Sequence, residues 1–140
     1  MIYRSFDTGS YKKAASLYSE GFPSDFDYAA WLADEDNIMF VSGEDVGLLA
    51  YEYPGMYNGH WFFVSRGRKA KEVATAMIDD LFTNYDASAV RGLTDVKLRG
   101  AIWLARQIGF VSMGIVEYDD GPHELLCLTK QMFYDRIKNG

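Results

Sequence analysis

The sequence has little cysteine, histidine or proline, and it lacks any long hydrophobic run. Its one cysteine, Cys127, cannot form an internal disulfide, which fits a reducing compartment. No stretch approaches the roughly 18 apolar residues of a membrane-spanning helix, and the first residues lack the apolar segment of a signal peptide. We therefore expect a soluble, cytoplasmic protein with no membrane partner.

The same scarcity excludes several kinds of chemistry. Two histidines and one cysteine, far apart in the chain, do not have the spacing of metal ligands. The sequence contains neither a serine in a nucleophile elbow nor the glycine–lysine pattern of a nucleoside-triphosphate P-loop. Cys127 has apolar neighbours, so we interpret it as a core residue and not as a nucleophile.

Composition sets the size class and narrows the partners. The chain has 140 residues, of which 49% are hydrophobic, and this predicts a single domain, residues 1–140, with a substantial core. Its 20 acidic and 14 basic side chains give a net charge of −6. Such an acidic chain is unlike a general nucleic-acid binder, so a nucleic-acid partner is not expected.

A basic turn between a strand and a long helix is the most informative feature. Residues 60–71 indicate a buried strand, a turn with one glycine, and a helix that continues to about residue 85. Four cations crowd the start of this helix, where the macrodipole favours anions instead. They are Arg66, Arg68, Lys69 and Lys71. An ordinary solvated basic turn would explain them, but we favour a site for a pyrophosphate, which would relieve the conflict.

Hydrophobic periodicity and turn residues predict the order β-α-α-β-β-β-α-β-α-β-β. The long helix has apolar residues in strict i, i+3, i+4 register, and Gly109 ends the helix after it. Asp95 is placed to cap that later helix. Strands are predicted at residues 1–6, 37–42, 46–53, 60–65, 89–94, 110–118 and 124–130. Helices are predicted at residues 10–20, after residue 24, from the basic turn to about residue 85, at 97–108 and, weakly, at 133–138.

This order and two segments resemble the GCN5-related N-acetyltransferase (GNAT) superfamily. The segment Val64-Ser-Arg-Gly-Arg-Lys-Ala-Lys71 is similar to the family's Q/R-x-x-G-x-G/A turn, which wraps the pyrophosphate of coenzyme A. The segment from Leu98 to Phe110 is similar to the family helix that ends in Gly-Phe. The resemblance implies an α/β (α+β) fold. Its central sheet would be mixed, mostly antiparallel and twisted, with about seven strands and helices on both faces.

The resemblance also implies the ligands. An acyl-coenzyme A, with acetyl-CoA as the expected co-substrate, would donate its acyl group to a small amine or to a protein amine. A backbone N–H near Phe63 and Val64 would polarise the thioester carbonyl, and Arg66 and Arg99 would assist electrostatically. The residues predicted to contact the coenzyme are Phe63, Val64, Ser65, Arg66, Gly67, Arg68, Lys69, Ala70, Lys71 and Arg99.

Acylation of an amine needs a base, because the ammonium must lose a proton before it attacks. His60, predicted to begin the fourth strand, is one candidate, and Glu52, near the end of the third, is the other. Alternatively, His60 is an ordinary turn histidine and Glu52 an exposed surface carboxylate. His123, in the last turn, is expected to have no role.

The sequence departs from the family pattern at four positions. Lys69 and Lys71 stand where small residues are usual, Leu98 replaces the customary Asn, and Ala105 replaces the Tyr that often protonates the departing thiolate. Short phage-encoded relatives look similar. A second hypothesis is therefore a catalytically inactive structural or assembly protein, of the kind that phages encode. The oligomeric state stays open, and a homodimer through exposed aromatics or strand edges is one alternative.

Overall fold

Strands and helices follow one another along the chain in the order that the sequence predicts. The computed structural model describes residues 1–17 and 25–139, so the end of the predicted first helix and the Pro23–Ser24 turn lie outside the described residues. The elements are β1 (Tyr3–Arg4), α1 (Thr8–Ala15), α2 (Tyr28–Ala33), β2 (Ile38–Ser42), β3 (Asp45–Tyr53), β4 (Met56–Phe62), α3 (Gly67–Asn84), β5 (Ala89–Asp95), α4 (Arg99–Ile108), β6 (Val111–Tyr118), β7 (Gly121–Thr129) and α5 (Lys130–Asn139).

The seven strands form one mixed sheet in the order β1-β2-β3-β4-β5-β7-β6. Every neighbouring pair is antiparallel except β4 and β5, which are parallel. Helices cover both faces: α1 and α2 pack on one, and α3, α4 and α5 pack on the other. The predicted fold class is confirmed. Within the described residues, no helix is long and apolar enough to span a membrane.

Helix α3 is central to the larger core because one side of it is apolar along its whole length. Its buried residues recur at helical spacing and pack against β2–β5, β7 and α4. They are Ala70, Val73, Ala74, Met77, Ile78, Leu81 and Phe82. The helix ends at Asn84, as predicted. On the opposite sheet face, Tyr11 and Leu32 from α1 and α2 pack on Met39, Leu48 and Phe62.

The hairpin between β3 and β4 corrects one prediction. The chain turns at Pro54–Gly55, where Gly55 has a φ of +85°, so the turn is shorter than the predicted gap between the strands at 46–53 and 60–65. Gly59 stays inside β4 because neighbours pack on its Cα: a Cβ there would lie 3.1 Å from Val90 Cγ1. β4 therefore spans Met56–Phe62 instead of residues 60–65, and His60 lies inside the strand instead of beginning it.

Two helix starts differ from the predicted ones. Helix α1 begins at Thr8 instead of residue 10, and Asp7 caps it, because its carboxylate accepts a hydrogen bond from the Gly9 N–H at 3.0 Å. Asp95 does not cap α4, since it accepts from the Lys97 N–H at 2.9 Å and so stabilises the turn before the helix. The predicted stop at Gly109 is confirmed, with a φ of +118°.

The core position of Leu81 gives the first prediction. Its side chain is fully buried, so Leu81→Ala should lower the free energy of unfolding by about 2–5 kcal/mol through lost burial and a residual cavity. Leu93→Ala is the matched control, because Leu93 is 41% exposed and its truncation should cost less than about 1 kcal/mol. Denaturant unfolding of both variants measures the difference, and equal losses would contradict this description of the core.

Candidate functional site

A cleft opens in the sheet because β4 and β5 pair over only three residues each. Met56–Asn58 pair with Ala89–Arg91, and beyond them the strands separate. Two glycines lie where the strands part, Gly59 and Gly92, and a Cβ on Gly92 would be 3.2 Å from the Gly59 carbonyl oxygen. Farther along, β5 pairs only with β7. The parted strands thus leave a passage from one face of the sheet to the other.

The two sides of this cleft, whose volume is about 490 Å³, differ in chemistry. On the α1–α2 side, β4 and β5 present His60, Phe62 and Arg91, and aromatic residues of α1, α2 and the segment before α2 form the outer wall. On the α4 side, the lining residues Ala105, Phe110 and Leu126 belong to the larger core. One side therefore carries polar groups, and the other is largely apolar.

A slot between the N-termini of α3 and α4 joins the cleft on its α4 side. The slot has a volume of about 540 Å³. Ser65, Arg66, Gly67 and Ala70 form one wall, α4 forms the other, and Phe63 lies between them. Slot and cleft share three lining residues, which are Trp61, Leu98 and Ala101. A continuous path thus leads from the start of α3 into the sheet.

The loop between β4 and α3 is held from both sides by charged groups of the chain itself. The Asp45 carboxylate, only 3% exposed, accepts hydrogen bonds from the N–H groups of Val64 at 2.8 Å and Ser65 at 2.9 Å. Arg66 Nη1 donates to the carbonyl oxygens of Phe63 at 2.7 Å, Ser65 at 3.1 Å and Val64 at 3.2 Å. These contacts fix the loop, and they occupy the Val64 amide and the Arg66 cation.

The N-terminus of α3 stays open. Arg66, at the N-cap position, makes no side-chain cap, and no residue that the structure describes accepts a hydrogen bond from the amides of Gly67, Arg68 or Lys69. Gly67 has a φ of +57°, and a Cβ there would meet nothing within 4 Å. The side chains of Arg68 and Lys69 are exposed beside these amides. This arrangement is suited to an anion.

Two other predicted coenzyme contacts lie away from the slot. Lys71 lines a neighbouring groove between α3, α4 and α5, together with Gln107 and Arg136. Arg99 is exposed at the start of α4, and although Leu98 and Gly100 beside it line the slot, Arg99 does not. Of the four cations, Arg66 lines the slot and is bound into the loop, Lys71 lines the neighbouring groove, and the exposed Arg68 and Lys69 line neither.

His60 faces the cleft from the α1–α2 side, on the same face of β4 as Phe62. The imidazole makes no hydrogen bond to any described residue, and it is reachable from solvent. The walls of the cleft nevertheless displace much of the water around it, and this desolvation lowers the pKa of His60 from its ordinary value of 6.5. The ring is thus neutral at pH 7, with a free nitrogen that can accept a proton.

Glu52 is engaged near the point where β4 and β5 part. Its Oε1 accepts from Asn58 Nδ2 at 2.5 Å, and its Oε2 accepts from the Arg91 guanidinium. Arg91, unlike Glu52, lines the cleft. Both carboxylate oxygens are therefore paired, which leaves Glu52 placed to orient Arg91.

Three residues that sequence reasoning passed over contribute to the site. Asp45 fixes the loop before α3, Arg91 lines the cleft, and His123, expected to have no role, lines it beside Asp95. The pairing of β5 with β7 sets Asp95 opposite His123. Each of these proximities joins distant parts of the chain, so no local pattern in the sequence could reveal them.

The anchoring of the loop by Asp45 gives a second prediction. Asp45→Ala leaves two amides without their acceptor and should destabilise the fold by about 1–3 kcal/mol, with faster hydrogen exchange at Val64 and Ser65. Glu44→Ala is the neighbouring control, because its carboxylate pairs with Lys13 at the surface and should cost under about 1 kcal/mol. Unchanged exchange at both amides would show that Asp45 does not hold this loop.

Sequence and structure comparisons show which known proteins this chain is similar to. No family model matches the sequence, and no curated protein does. Solved structures do match. A mutant of spermidine N-acetyltransferase from Vibrio cholerae has a TM-score of 0.76 at 11% identity, over 98% of this chain and 99% of that one. Aminoglycoside acetyltransferase AAC(6')-Ib, in complex with coenzyme A and kanamycin, has a TM-score of 0.66 at 15% identity, over 96% and 97%.

An uncharacterized protein from Bacillus halodurans gives a similar result, with a TM-score of 0.65 at 12% identity, over 99% of this chain and 88% of that one. At such low identities, the matches show a shared fold alone. They agree with a mixed seven-stranded sheet flanked by helices. The chain therefore has the GCN5-related N-acetyltransferase fold that its sequence resembles.

Proposed function

We propose that this protein transfers an acyl group from a coenzyme A thioester to an amine. The observation that carries the proposal is the open, basic N-terminus of α3, set beside a slot that leads into the cleft between β4 and β5. Two structures of similar fold, the spermidine N-acetyltransferase and the aminoglycoside acetyltransferase, are acetyltransferases by name, and the second holds coenzyme A. Acetyl-CoA is the simplest donor.

The residues at the start of α3 fit a diphosphate. The free amides of Gly67, Arg68 and Lys69 point out of a helix N-terminus, and two exposed cations stand beside them. The glycine leaves the backbone uncovered, so an anion can approach closely. Arg66 would shape this cradle from within, while Lys71 and Arg99 would add positive charge at its edges. The bound coenzyme would supply the activated acyl group.

The slot suits the remainder of the coenzyme, because its walls are mostly apolar, with Ser65 adding a hydroxyl. Ala70 is small, and Trp61, Phe63 and Trp103 give aromatic surface. Since Asp45 occupies the Val64 amide, Phe63 is the remaining candidate of the two predicted to present an N–H to the thioester oxygen.

His60 is the proposed base. It faces the cleft from the side opposite the slot, its ring has no described partner, and its pKa lies below 6.5. A neutral imidazole at pH 7 can take the proton that the acceptor ammonium must lose. Glu52 is the weaker candidate, because Asn58 and Arg91 already engage its carboxylate. The acceptor, a small amine or a protein amine, would enter from the α1–α2 side.

Coenzyme binding is the first test of this function. Isothermal calorimetry should detect coenzyme A and desulfo-coenzyme A binding to the wild-type protein. Lys69→Glu should weaken both about tenfold, because one reversed charge near a phosphate changes the energy by on the order of 1 kcal/mol. Lys71→Glu should have a smaller effect, since Lys71 faces the neighbouring groove. Lys138→Glu, the same change at an exposed position in α5, should have none.

The role of His60 is tested by pH dependence. Its pKa is lowered in the folded protein, so the wild-type kcat/KM should rise with pH to a plateau, with its midpoint below 6.5. His60→Asn should lower the plateau by about 10²–10⁴ and remove that limb. His123→Asn should keep the limb, and proton NMR titration should assign the same midpoint to His60. A limb that survives in His60→Asn would assign the base elsewhere.

A second candidate function is that of a structural or assembly protein without catalysis. Two observations favour it. Ala105 brings no proton donor to the cleft, and the edge strand β6 is exposed along its whole length, with Met113 and Ile115 among its open apolar side chains. Such an edge is suited to pairing with another chain, including a second copy. If no coenzyme binds up to millimolar concentrations, this function is favoured over acyl transfer.

A further inference from the structure

The α4 side of the cleft carries an inference about which acyl group the protein accepts. The slot and the cleft meet at Trp61, Leu98 and Ala101, so a coenzyme arm lying in the slot would reach the cleft there. Ala105 lies one helical turn beyond Ala101 on the same face of α4. The first space past the junction is therefore bounded by two alanines.

The walls of this space are largely apolar, with Thr94 of β5 also lining the cleft. Phe110 and Leu126 close it from the chain segment after α4 and from β7, and both are buried in the larger core. Leu98 completes it at the junction. The side chains of these five lining residues have no polar atom. A group lying here would lose contact with water without gaining a hydrogen bond from them, which favours hydrocarbon.

The space exists because the residues around it are small. Gly59 and Gly92 leave no side chain where the strands part, and Ala105, 5% exposed, presents only a methyl group. A larger side chain on this face of α4 would project into the cleft. Opposite, the α1–α2 side carries His60 and Arg91, so the chemistry of the cleft changes across the sheet.

We infer that the α4 side of the cleft is an acyl-chain pocket that selects an aliphatic acyl group longer than acetyl, with Ala101 and Ala105 as the residues that determine chain length. This inference rests on the proposed function, because it requires a coenzyme A thioester in the slot. The ligand class is a short saturated acyl-coenzyme A of the butyryl kind.

Stable thioether analogues test the pocket without any reaction. S-ethyl-coenzyme A has the size of the acetyl thioester, and S-butyl-coenzyme A adds two methylenes. Each buried methylene strengthens binding about fourfold, so calorimetry should show S-butyl binding about 15-fold tighter than S-ethyl. Ala105→Leu should reduce this ratio to about one by filling the space. Gln107→Leu adds the same side chain to α4 outside the cleft and should keep the ratio.

The outcomes distinguish a failure of the acyl-chain pocket from a failure of the proposed function. A ratio near one in the wild-type protein, with coenzyme A still binding, overturns the acyl-chain pocket and leaves the proposed function standing. No binding of coenzyme A or of any analogue overturns both. If melting shows that Ala105→Leu is overpacked, Ala101→Leu at the half-buried junction repeats the test. A ratio that persists in both folded variants assigns chain selection to other residues.

Discussion

The parallel pairing of β4 with β5 stops after three residues, and the geometry of the candidate site follows from that stop. While they pair, the sheet is closed and its two cores are separate. Past Asn58 and Arg91 the strands part, and each side of the sheet becomes accessible to the other. Helix α3 starts just after β4, so its N-terminus lies beside this opening. A donor and an acceptor could therefore meet from opposite faces.

In and beside the loop before α3, charged side chains bind the backbone of the loop, while the first amides of α3 have no described partner. Asp45 engages two amides, and Arg66 engages three carbonyl oxygens, so both charged groups are hydrogen-bonded to the backbone of the loop. The next three amides, from Gly67 to Lys69, have no described partner. The hydrogen bonds of Asp45 and Arg66 thus hold the loop, while the open helix end keeps its dipole available for an anion.

Local patterns were sufficient for much of the fold. The apolar stripe of α3 and the glycine stop of α4 were predicted because each depends on neighbouring residues alone. The start of β4 was not, because Gly59 looks like a turn residue until Val90 is seen packed on it. The loop anchor Asp45 and the Asp95–His123 juxtaposition were missed for the same reason. They depend on strand register, which no short segment encodes.

Ala105 joins two properties that look independent. A tyrosine at that position would offer a proton to a departing thiolate, and it would also fill the apolar end of the cleft, so one residue cannot provide both. Because a thiol pKa is near 8.5, the thiolate can leave without being protonated, and losing the acid would cost at most the factor of about 10²–10⁴ that general acid catalysis contributes.

The harder proton transfer is from an ammonium, whose pKa is near 10.4 in a lysine side chain. In the proposed function, that step would fall to His60, which lies on the opposite side of the sheet from Ala105. An enzyme of the proposed kind could keep His60 as its base and, with alanine in place of the tyrosine acid, gain space for a larger acyl group. The absence of the tyrosine, which taken alone favours a protein without activity, is therefore also compatible with slower catalysis on a larger acyl group.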